Sequence, residues 1–274
     1  MRQKYRLLIV YPSALIIFII TMFPFYWMVN AYVKPFKELL MEASLVPRNI
    51  NFTHYYGLFE QTQILVHLKN SIITSVAATL ITLILASMAG YAITRYDIVA
   101  GEFIARLTLF TYMVPSIVLL LPLYLAMKTL GLVNSHFGLV ISYLTITLPF
   151  AIWMMRSYFA TIPKIMEEAA LIDGTNRFGA FLYVVVPQAM PGLVSTGIFV
   201  IILCWGEYLL PMVLLTVDNM KTIPVTLASL VGGGQNINFG LLMAGSTVTT
   251  LPILLIFLIL QKYLIAGFAA GGHE

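Results

Sequence analysis

Residues 167–191 read EEAALIDGTNRFGAFLYVVVPQAMP and lie between two long runs of apolar residues. The stretch brings two glutamates, an Asp-Gly pair and two prolines into a chain that is 60% hydrophobic. Acidic and turn-forming residues are costly in hydrocarbon, because lipid offers their polar groups no hydrogen-bonding partner. We therefore expect this segment to lie outside the membrane, where something other than lipid receives it.

The composition of the whole chain is that of an integral membrane protein. Only 9% of its 274 residues are charged, whereas about a quarter are charged in soluble domains. The basic residues are scattered near the ends of apolar runs, a pattern that suits membrane orientation and argues against nucleic-acid binding. The single cysteine, Cys204, lies in an apolar run and excludes an internal disulfide.

Six apolar runs are long enough to cross a bilayer, which takes about 20 residues per helix. The sequence therefore predicts an all-α fold, a polytopic membrane protein with six transmembrane helices embedded in the lipid bilayer. The first run is long enough to favour a retained helix over a signal peptide. The predicted spans are residues 7–31, 70–94, 104–127, 137–156, 191–215 and 240–262.

Basic residues near the ends of the spans predict the orientation. With a cytoplasmic N-terminus, the basic residues on the inside are Arg2, Lys4, Arg6, Arg95, Arg106, Arg156, Lys164, Arg177 and Lys262. Those on the outside are Lys34, Lys37, Arg48, Lys69, Lys128 and Lys221. Four of the outer residues belong to one long loop, which counts for less under this rule. We expect both termini and the 167–191 stretch to lie in the cytoplasm.

The quoted stretch predicts two short helices joined by a glycine turn. Pro163 suits the first turn of a helix, and Asp173-Gly174 predicts its end. The apolar faces of the two helices are Ile165, Ala169 and Ile172 in the first, and Phe178, Phe181, Leu182 and Val185 in the second. Helices of this length are not stable alone, so these faces need a partner or the ends of the spans. An amphipathic pair resting on the membrane surface fits the pattern equally well.

The same stretch closely resembles the cytoplasmic signature of ABC-importer permeases: Glu-Ala-Ala, three residues, Gly, nine residues, Ile, one residue, Leu-Pro. The matching residues here are Glu168, Ala169, Ala170, Gly174, Val184, Val186 and Pro187. Further segments resemble the carbohydrate-importer permeases that include the smaller membrane subunit of the maltose transporter, namely PFYWMVNAYVKPFKEL, AGYAITRY, WGEYLLPMVLL and YLIAGFAAGG. The similarity covers nearly the whole chain. The terminal His273-Glu274 departs from the family, where a basic or small residue is more usual.

This resemblance implies a type I ABC importer-like permease that forms half of a pore for a sugar or oligosaccharide. It implies a second homologous permease subunit, two ATPase subunits and an extracytoplasmic solute-binding protein as partners, in the inner membrane of a bacterial or archaeal cell. ATP and Mg would be bound by the ATPase, and this chain would bind no cofactor or metal and catalyse no reaction. The sequence indeed has no G-x-x-x-x-G-K-[ST] phosphate loop.

The resemblance also implies a domain organisation. Residues 1–66 would form an N-terminal transmembrane helix and an extracytoplasmic loop. Residues 67–262 would form a five-helix permease core, with a cytoplasmic coupling loop over 157–190. Residues 263–274 would be a cytoplasmic tail.

Site residues carry over from the family by position. The residues expected to couple to the ATPase are Glu167, Glu168, Ala169, Ala170, Asp173, Gly174 and Pro187. Among them, Glu168 would face a basic residue of the ATPase and Gly174 would form the turn. The residues expected to reach the binding protein are Gly232, Gly233 and Gly234, although three glycines also suit a simple exposed connector.

Four residues in the fourth and fifth spans are candidates for the substrate pathway: Tyr143, Trp205, Glu207 and Tyr208. Rings with polar tips can stack on sugars and bond hydroxyl groups, and an ionisable residue within a span is a functional candidate. A structural hydrogen bond from Glu207 to another helix is at least as compatible with the sequence.

Other classes of function fit the sequence less well. The four histidines, His54, His67, His136 and His273, fall in loops or ends without metal-ligand spacing, which argues against a membrane enzyme. A passive channel would have no use for the coupling signature. The same machinery could carry a glycerol phosphodiester or a polyamine, although an anionic cargo favours basic residues in the centres of the spans, and none is found there.

Overall fold

The structure is a computed structural model that describes residues 2–41, 44–96, 101–231 and 238–271. Within these ranges the regular structure is helical and no strand is present. A π-helical turn covers Phe181–Val185 and a 3₁₀ turn covers Asp218–Met220. The α-helices are α1 (Arg2–Tyr32), α2 (Phe36–Met41), α3 (Thr53–Gln61), α4 (Ile64–Arg95), α5 (Gly101–Tyr112), α6 (Ser116–Thr129), α7 (His136–Thr161), α8 (Lys164–Ile172), α9 (Arg177–Ala180), α10 (Val186–Gln188), α11 (Met190–Gly206), α12 (Leu209–Leu214), α13 (Ile223–Val231) and α14 (Phe239–Gly271).

Among the described residues, four helices are long and apolar enough to cross a membrane. They are Ile9–Tyr32 within α1, all of α4, all of α7, and Phe239–Ile259 within α14. Two helix pairs also qualify when each is taken together: Arg106–Tyr112 with α6, bent by 95°, and Arg177–Gln188 with α11, bent by 76°. Counting each bent pair as one span gives up to six, the number predicted from the sequence, although the second pair begins at Arg177 and the predicted fifth span begins at residue 191.

Two of the predicted spans are broken helices, which the apolar pattern did not show. Residues 104–127 divide between α5 and α6 just before Pro115. The proline has no N–H to donate, and its ring disfavours the helical conformation at Val114. Residues 191–215 divide between α11 and α12, because Glu207 adopts an extended conformation (φ −70°, ψ 125°) that ends α11.

The chain divides into two compact units, one of residues 1–65 and 226–252, the other of residues 66–225 and 253–274. In the first unit, the end of α1 is tied to the segment that follows it. The side-chain N–H of Asn30 donates to the carbonyl of Leu45 over 2.9 Å. Lys34 is buried, its ammonium donates to the carbonyl of Ser44, and it lies 5.3 Å from the ring centroid of Trp27. This network satisfies a cation that would be costly to bury unpaired.

Close packing of α4 against α7 forms the centre of the second unit. A Cβ atom at Gly90 would lie 2.9 Å from the backbone nitrogen of Arg156, so a larger residue would force the helices apart. The hydroxyl groups of Thr82 and Thr147 share a buried hydrogen bond of 2.8 Å. Ala86 is fully buried one turn before Gly90. Small residues in this arrangement let helices approach closely in a membrane, where dispersion forces and hydrogen bonds hold them together.

Gly192 allows a similar close approach of α11 to α7. A Cβ atom at this position would lie 2.3 Å from the Tyr158 ring. We expect Gly192→Ala to lower the thermal stability of the purified protein in detergent, since overpacking costs about 1–3 kcal/mol. The matched control is Gly206→Ala at the end of the same helix, where a Cβ atom meets nothing within 4 Å. Equal melting temperatures for the two variants would show that the packing of α11 against α7 adjusts to the added methyl group without loss of stability.

Candidate functional site

The residues predicted to form the first helix and the turn do so. Helix α8 begins after Pro163 and ends at Asp173, and Gly174 follows with a φ of +89°. The N–H of Gly174 donates to the carbonyl of Leu171 over 3.2 Å, and the N–H of Thr175 donates to that of Ala170 over 3.1 Å. These two bonds define a Schellman ending, which requires a left-handed residue and so favours glycine.

The apolar stripe of α8 is left uncovered by the described residues. Ile165 is 68% exposed and Ile172 is 87% exposed, and no residue of α8 is fully buried. A Cβ atom at Gly174 would also meet nothing within 4 Å, so the turn opens onto free space. Two large apolar side chains beside an open turn form a surface suited to a partner.

Glu167 lies on the opposite side of α8 and is bonded within the chain. Its Oε2 accepts from Arg95 Nε over 2.9 Å, and its Oε1 accepts from the hydroxyl of Tyr91. Arg95 also donates from Nη2 to the carbonyl of Ile162 over 2.8 Å. The side chains of Arg95 and Glu167 are only 6% and 12% exposed. Glu167 is therefore bonded within the chain, and its predicted contact with the ATPase stays a prediction.

Neither Tyr91 nor Arg95 is among the site residues predicted from the sequence. The available signal was the segment AGYAITRY, which contains both residues and which carried part of the family resemblance. No spacing rule connects this segment to Glu167, because 72 residues separate Arg95 from its partner. Their contact is a product of tertiary structure.

The second predicted helix forms with a different buried face. Asn176 caps α9 by accepting from the N–H of Gly179 over 2.7 Å. Phe181 and Val185 are buried, whereas Phe178 and Leu182 are exposed, so only half of the predicted face packs. The π-helical turn over Phe181–Val185 is the physical reason, because its wider winding changes which residues share a side.

The remaining residues predicted to contact the ATPase lie on the surface. Glu168 is exposed and makes no ion pair or hydrogen bond with the described part of the chain. Ala169, Asp173 and Pro187 are exposed as well, and Ala170 is half-buried. The two glutamates thus differ, since Glu167 is bonded to Arg95 and Tyr91, whereas Glu168 is exposed and only lines a pocket that it shares with Glu167.

The glycines predicted to reach a binding protein, Gly232, Gly233 and Gly234, lie outside the described residues. These glycines belong to the predicted loop over residues 217–238. Its first part, residues 216–223, is fixed by side chains of α4 and of the α6–α7 connection, and α13 (Ile223–Val231) follows it. The contacts are His67 Nε2 to the Asp218 carbonyl (2.8 Å), Asn70 Nδ2 to the carbonyls of Asn219 (2.9 Å) and Lys221 (3.0 Å), and Asn134 Oδ1 to the N–H of Thr216 (2.7 Å). Lys221 donates to Asp218 over 2.8 Å and so lowers the pKa of that carboxyl group. The loop therefore starts from a fixed base.

The four predicted pathway residues fall into two groups. Tyr143 and Trp205 are buried, 1% and 8% exposed respectively, and Tyr143 belongs to the main apolar core. Both side chains pack within this chain, and their place in a substrate pathway stays a prediction. Glu207 and Tyr208 are half-buried at the break between α11 and α12.

The Glu207 carboxylate caps the helix that follows it. Its Oε1 accepts from the N–H groups of Leu209 and Leu210 over 2.9 and 3.1 Å. These donors would otherwise lack partners at the start of α12. A structural hydrogen bond from Glu207 to another helix was compatible with the sequence, and the carboxylate instead bonds the next segment of its own span.

A cavity of about 260 Å³ adjoins this helix break. Glu207 lines it together with residues from the α5–α6 break and from α7, among them Pro115, Ser116 and Thr145. Both broken spans thus border the same space, which combines an acid and hydroxyl groups with apolar walls. Among the described residues, no group of three or more His, Cys, Asp or Glu side chains could hold a metal ion.

The fold and site define a polytopic membrane protein with an exposed, glycine-ended helix outside its spans. Residues 82–269 match the family described as binding-protein-dependent transport system inner membrane component, and the chain belongs to that family. It is 34% identical over 249 residues to the trehalose transport system permease protein SugB of Mycobacterium tuberculosis, covering 90% of each chain. It is 32% identical over 263 residues to the trehalose/maltose transport system permease protein MalG of Thermococcus litoralis, covering 94% of each.

A solved structure shows the same fold. It is described as the crystal structure of a bacterial ABC transporter involved in the import of the acidic polysaccharide alginate. The two chains superpose with a TM-score of 0.81 at 22% identity, covering 96% of this chain and 98% of the other. The all-α, six-span permease fold predicted from the sequence is confirmed by this likeness and by the family match.

Proposed function

We propose that this chain is the permease subunit of an ATP-driven importer of a disaccharide or oligosaccharide. It forms half of the translocation pore, and a second homologous permease forms the other half. Two separate ATPase subunits bind ATP and Mg and perform the hydrolysis, and an extracytoplasmic binding protein delivers the solute. Family membership supports the transport role, and the trehalose and trehalose/maltose relatives support the choice of cargo.

The observation that carries the proposal is the uncovered face of α8. Ile165 and Ile172 present apolar area to a receiving cleft, and burying each side chain yields roughly 1.5–3 kcal/mol. Glu168 adds an exposed carboxylate that can form a charge-assisted hydrogen bond with an Arg or Lys of the ATPase. Gly174 lets that partner approach the backbone closely.

Transport then follows alternating access. Closure of the two ATPases on ATP draws the two α8 helices together, and the spans rearrange so that the pore opens outward. ATP must favour the outward-open state for this coupling to work, because a ligand shifts an equilibrium only by its difference in affinity for two states. The 217–238 loop, which contains Gly232, Gly233 and Gly234, reaches the binding protein from its fixed base.

The cargo can be tested directly in cells. We expect deletion of the chain to abolish uptake of one or more labelled di- or oligosaccharides from a panel, with uptake restored by the wild-type chain. The control panel contains a glycerol phosphodiester and a polyamine, whose uptake should be unchanged. Loss of a control solute alone, with every sugar still imported, would show that the cargo assignment is wrong.

The glycine turn provides a test of coupling. We expect Gly174→Asp to leave the chain in the membrane and to reduce uptake by roughly tenfold or more, the equivalent of about 1.4 kcal/mol of lost interaction. The new side chain occupies the open space where the ATPase would approach and adds a negative charge.

Gly131→Asp is the matched control for Gly174→Asp. Gly131 also has a positive φ (+68°) and a Cβ atom there meets nothing within 4 Å, so the two variants suffer similar backbone strain. Gly131 lies in the connection between α6 and α7, away from α8. Equal uptake by the two variants would contradict a docking role for Gly174.

The proposed orientation has both termini and α8 in the cytoplasm. It is tested with single cysteines in a Cys204→Ala chain, where Ile172→Cys reports on α8 and Val217→Cys on the 216–223 segment. Both native side chains are exposed, 87% and 49% respectively. We expect a membrane-impermeant maleimide to label position 217 in intact cells and position 172 only after permeabilisation. The reverse pattern would invert the topology.

A further inference from the structure

Within the described residues, helix α8 packs mainly against α9 and the π-helical turn, the segments that follow it along the chain. None of its nine residues is fully buried, and its apolar stripe points away from the described residues. A helix held only by its connections would move independently when a partner pulls on it. What attaches α8 to the spans therefore decides whether motion of the partner reaches the pore.

The carboxylate of Glu167 supplies that attachment, because both of its oxygens are bonded to α4. Oε1 accepts from Tyr91 and Oε2 accepts from Arg95. Arg95 donates at the same time to the carbonyl of Ile162, which lies between α7 and α8. The guanidinium group can hold both acceptors because its donors form a rigid planar fork, which a lysine ammonium does not offer.

The α4 side of this cluster is itself fixed. The Tyr91 ring packs against the rings of Phe181 and Phe159, with centroids 4.6 and 6.0 Å away. Thr94 lies between Tyr91 and Arg95 in sequence and approaches the Arg156 carbonyl of α7 at 3.5 Å. The cluster therefore joins α8 to α4, which packs closely against α7 at Gly90.

We propose that Tyr91, Arg95 and Glu167 form an anchor that makes α8 and the end of α4 move as one body. The inference rests on the proposed function, in which α8 receives the motion of the ATPase. Glu167 is then a positioning residue that acts through Arg95, and Glu168 is the acid that faces the partner. The two adjacent glutamates thus have different roles: Glu167 holds α8 against α4, and Glu168 contacts the ATPase.

The anchor can be measured in the full-length chain without its partners. The distance is measured between spin labels on Met88→Cys of α4 and Ile172→Cys of α8, two positions whose native side chains are exposed. Both substitutions are made in a Cys204→Ala chain, which is reconstituted in nanodiscs. We expect one narrow distance distribution in the parent chain. Glu167→Gln keeps the size of the side chain and removes its charge, and should at least double the width of the distribution.

Two further variants complete the distance measurement. Tyr91→Phe removes one hydrogen bond and keeps the ion pair, so it should give an intermediate width and remains informative if Glu167→Gln does not insert. Glu168→Gln makes the same chemical change at the neighbouring exposed position and should leave the width unchanged. An unchanged width in both Glu167→Gln and Tyr91→Phe overturns the anchor.

The second readout is the number of solute molecules imported per ATP hydrolysed by the assembled transporter. We expect Glu167→Gln to lower this ratio at least threefold while ATP hydrolysis continues, because α8 still docks but no longer carries α4 with it. If Glu167 were needed only for folding, the variant would instead lower the rate of solute import and the rate of ATP hydrolysis together, because less transporter would be present. A broadened distance distribution with an unchanged ratio would show that the anchor exists and that α8 is not the coupling element, which separates the two proposals.

Discussion

The absence of water inside a bilayer constrains every break in these spans. A peptide group that leaves the helical pattern in hydrocarbon must find a partner within the protein. The chain meets this requirement in two ways. At the break between α5 and α6, Pro115 has no N–H to satisfy. At the break between α11 and α12, the Glu207 carboxylate accepts from two N–H groups of the next helix. Both breaks border the same cavity.

Satisfied polar groups also explain how a short external helix can be tied to the spans. The Arg95–Glu167 pair is nearly buried, and removing one member of a buried pair typically costs 3–5 kcal/mol, because the other charge is left uncompensated. Such a contact specifies one arrangement of α8 relative to α4. The opposite face of α8 remains uncovered, and that division into a bonded side and a free side is what a docking helix requires.

Much of the fold was predictable from local signals. The lengths of the apolar runs gave six spans, and Pro163 with Asp173-Gly174 gave the bounds of α8, since proline and glycine act through their own backbone geometry. The breaks within the third and fifth spans were not predicted. A run of apolar residues indicates that a segment crosses the membrane, but it does not indicate whether its helix is continuous. The buried face of the second helix was half wrong, because a π-helical turn changes the winding that the spacing argument assumed.

The sequence by itself determined that the chain crosses a membrane, where its external helix begins and ends, and which family its signature resembles. These properties depend on neighbouring residues or on fixed spacings along the chain. Only the tertiary structure decided which contacts each candidate residue makes within the chain. Tyr143 is packed in the core, Glu207 caps a helix, and Glu167 bonds to Arg95, while Glu168 makes no hydrogen bond or ion pair within the described residues. The reason is physical. A side chain's role depends on which atoms lie within hydrogen-bonding distance, and residues 72 positions apart meet only after the helices have packed.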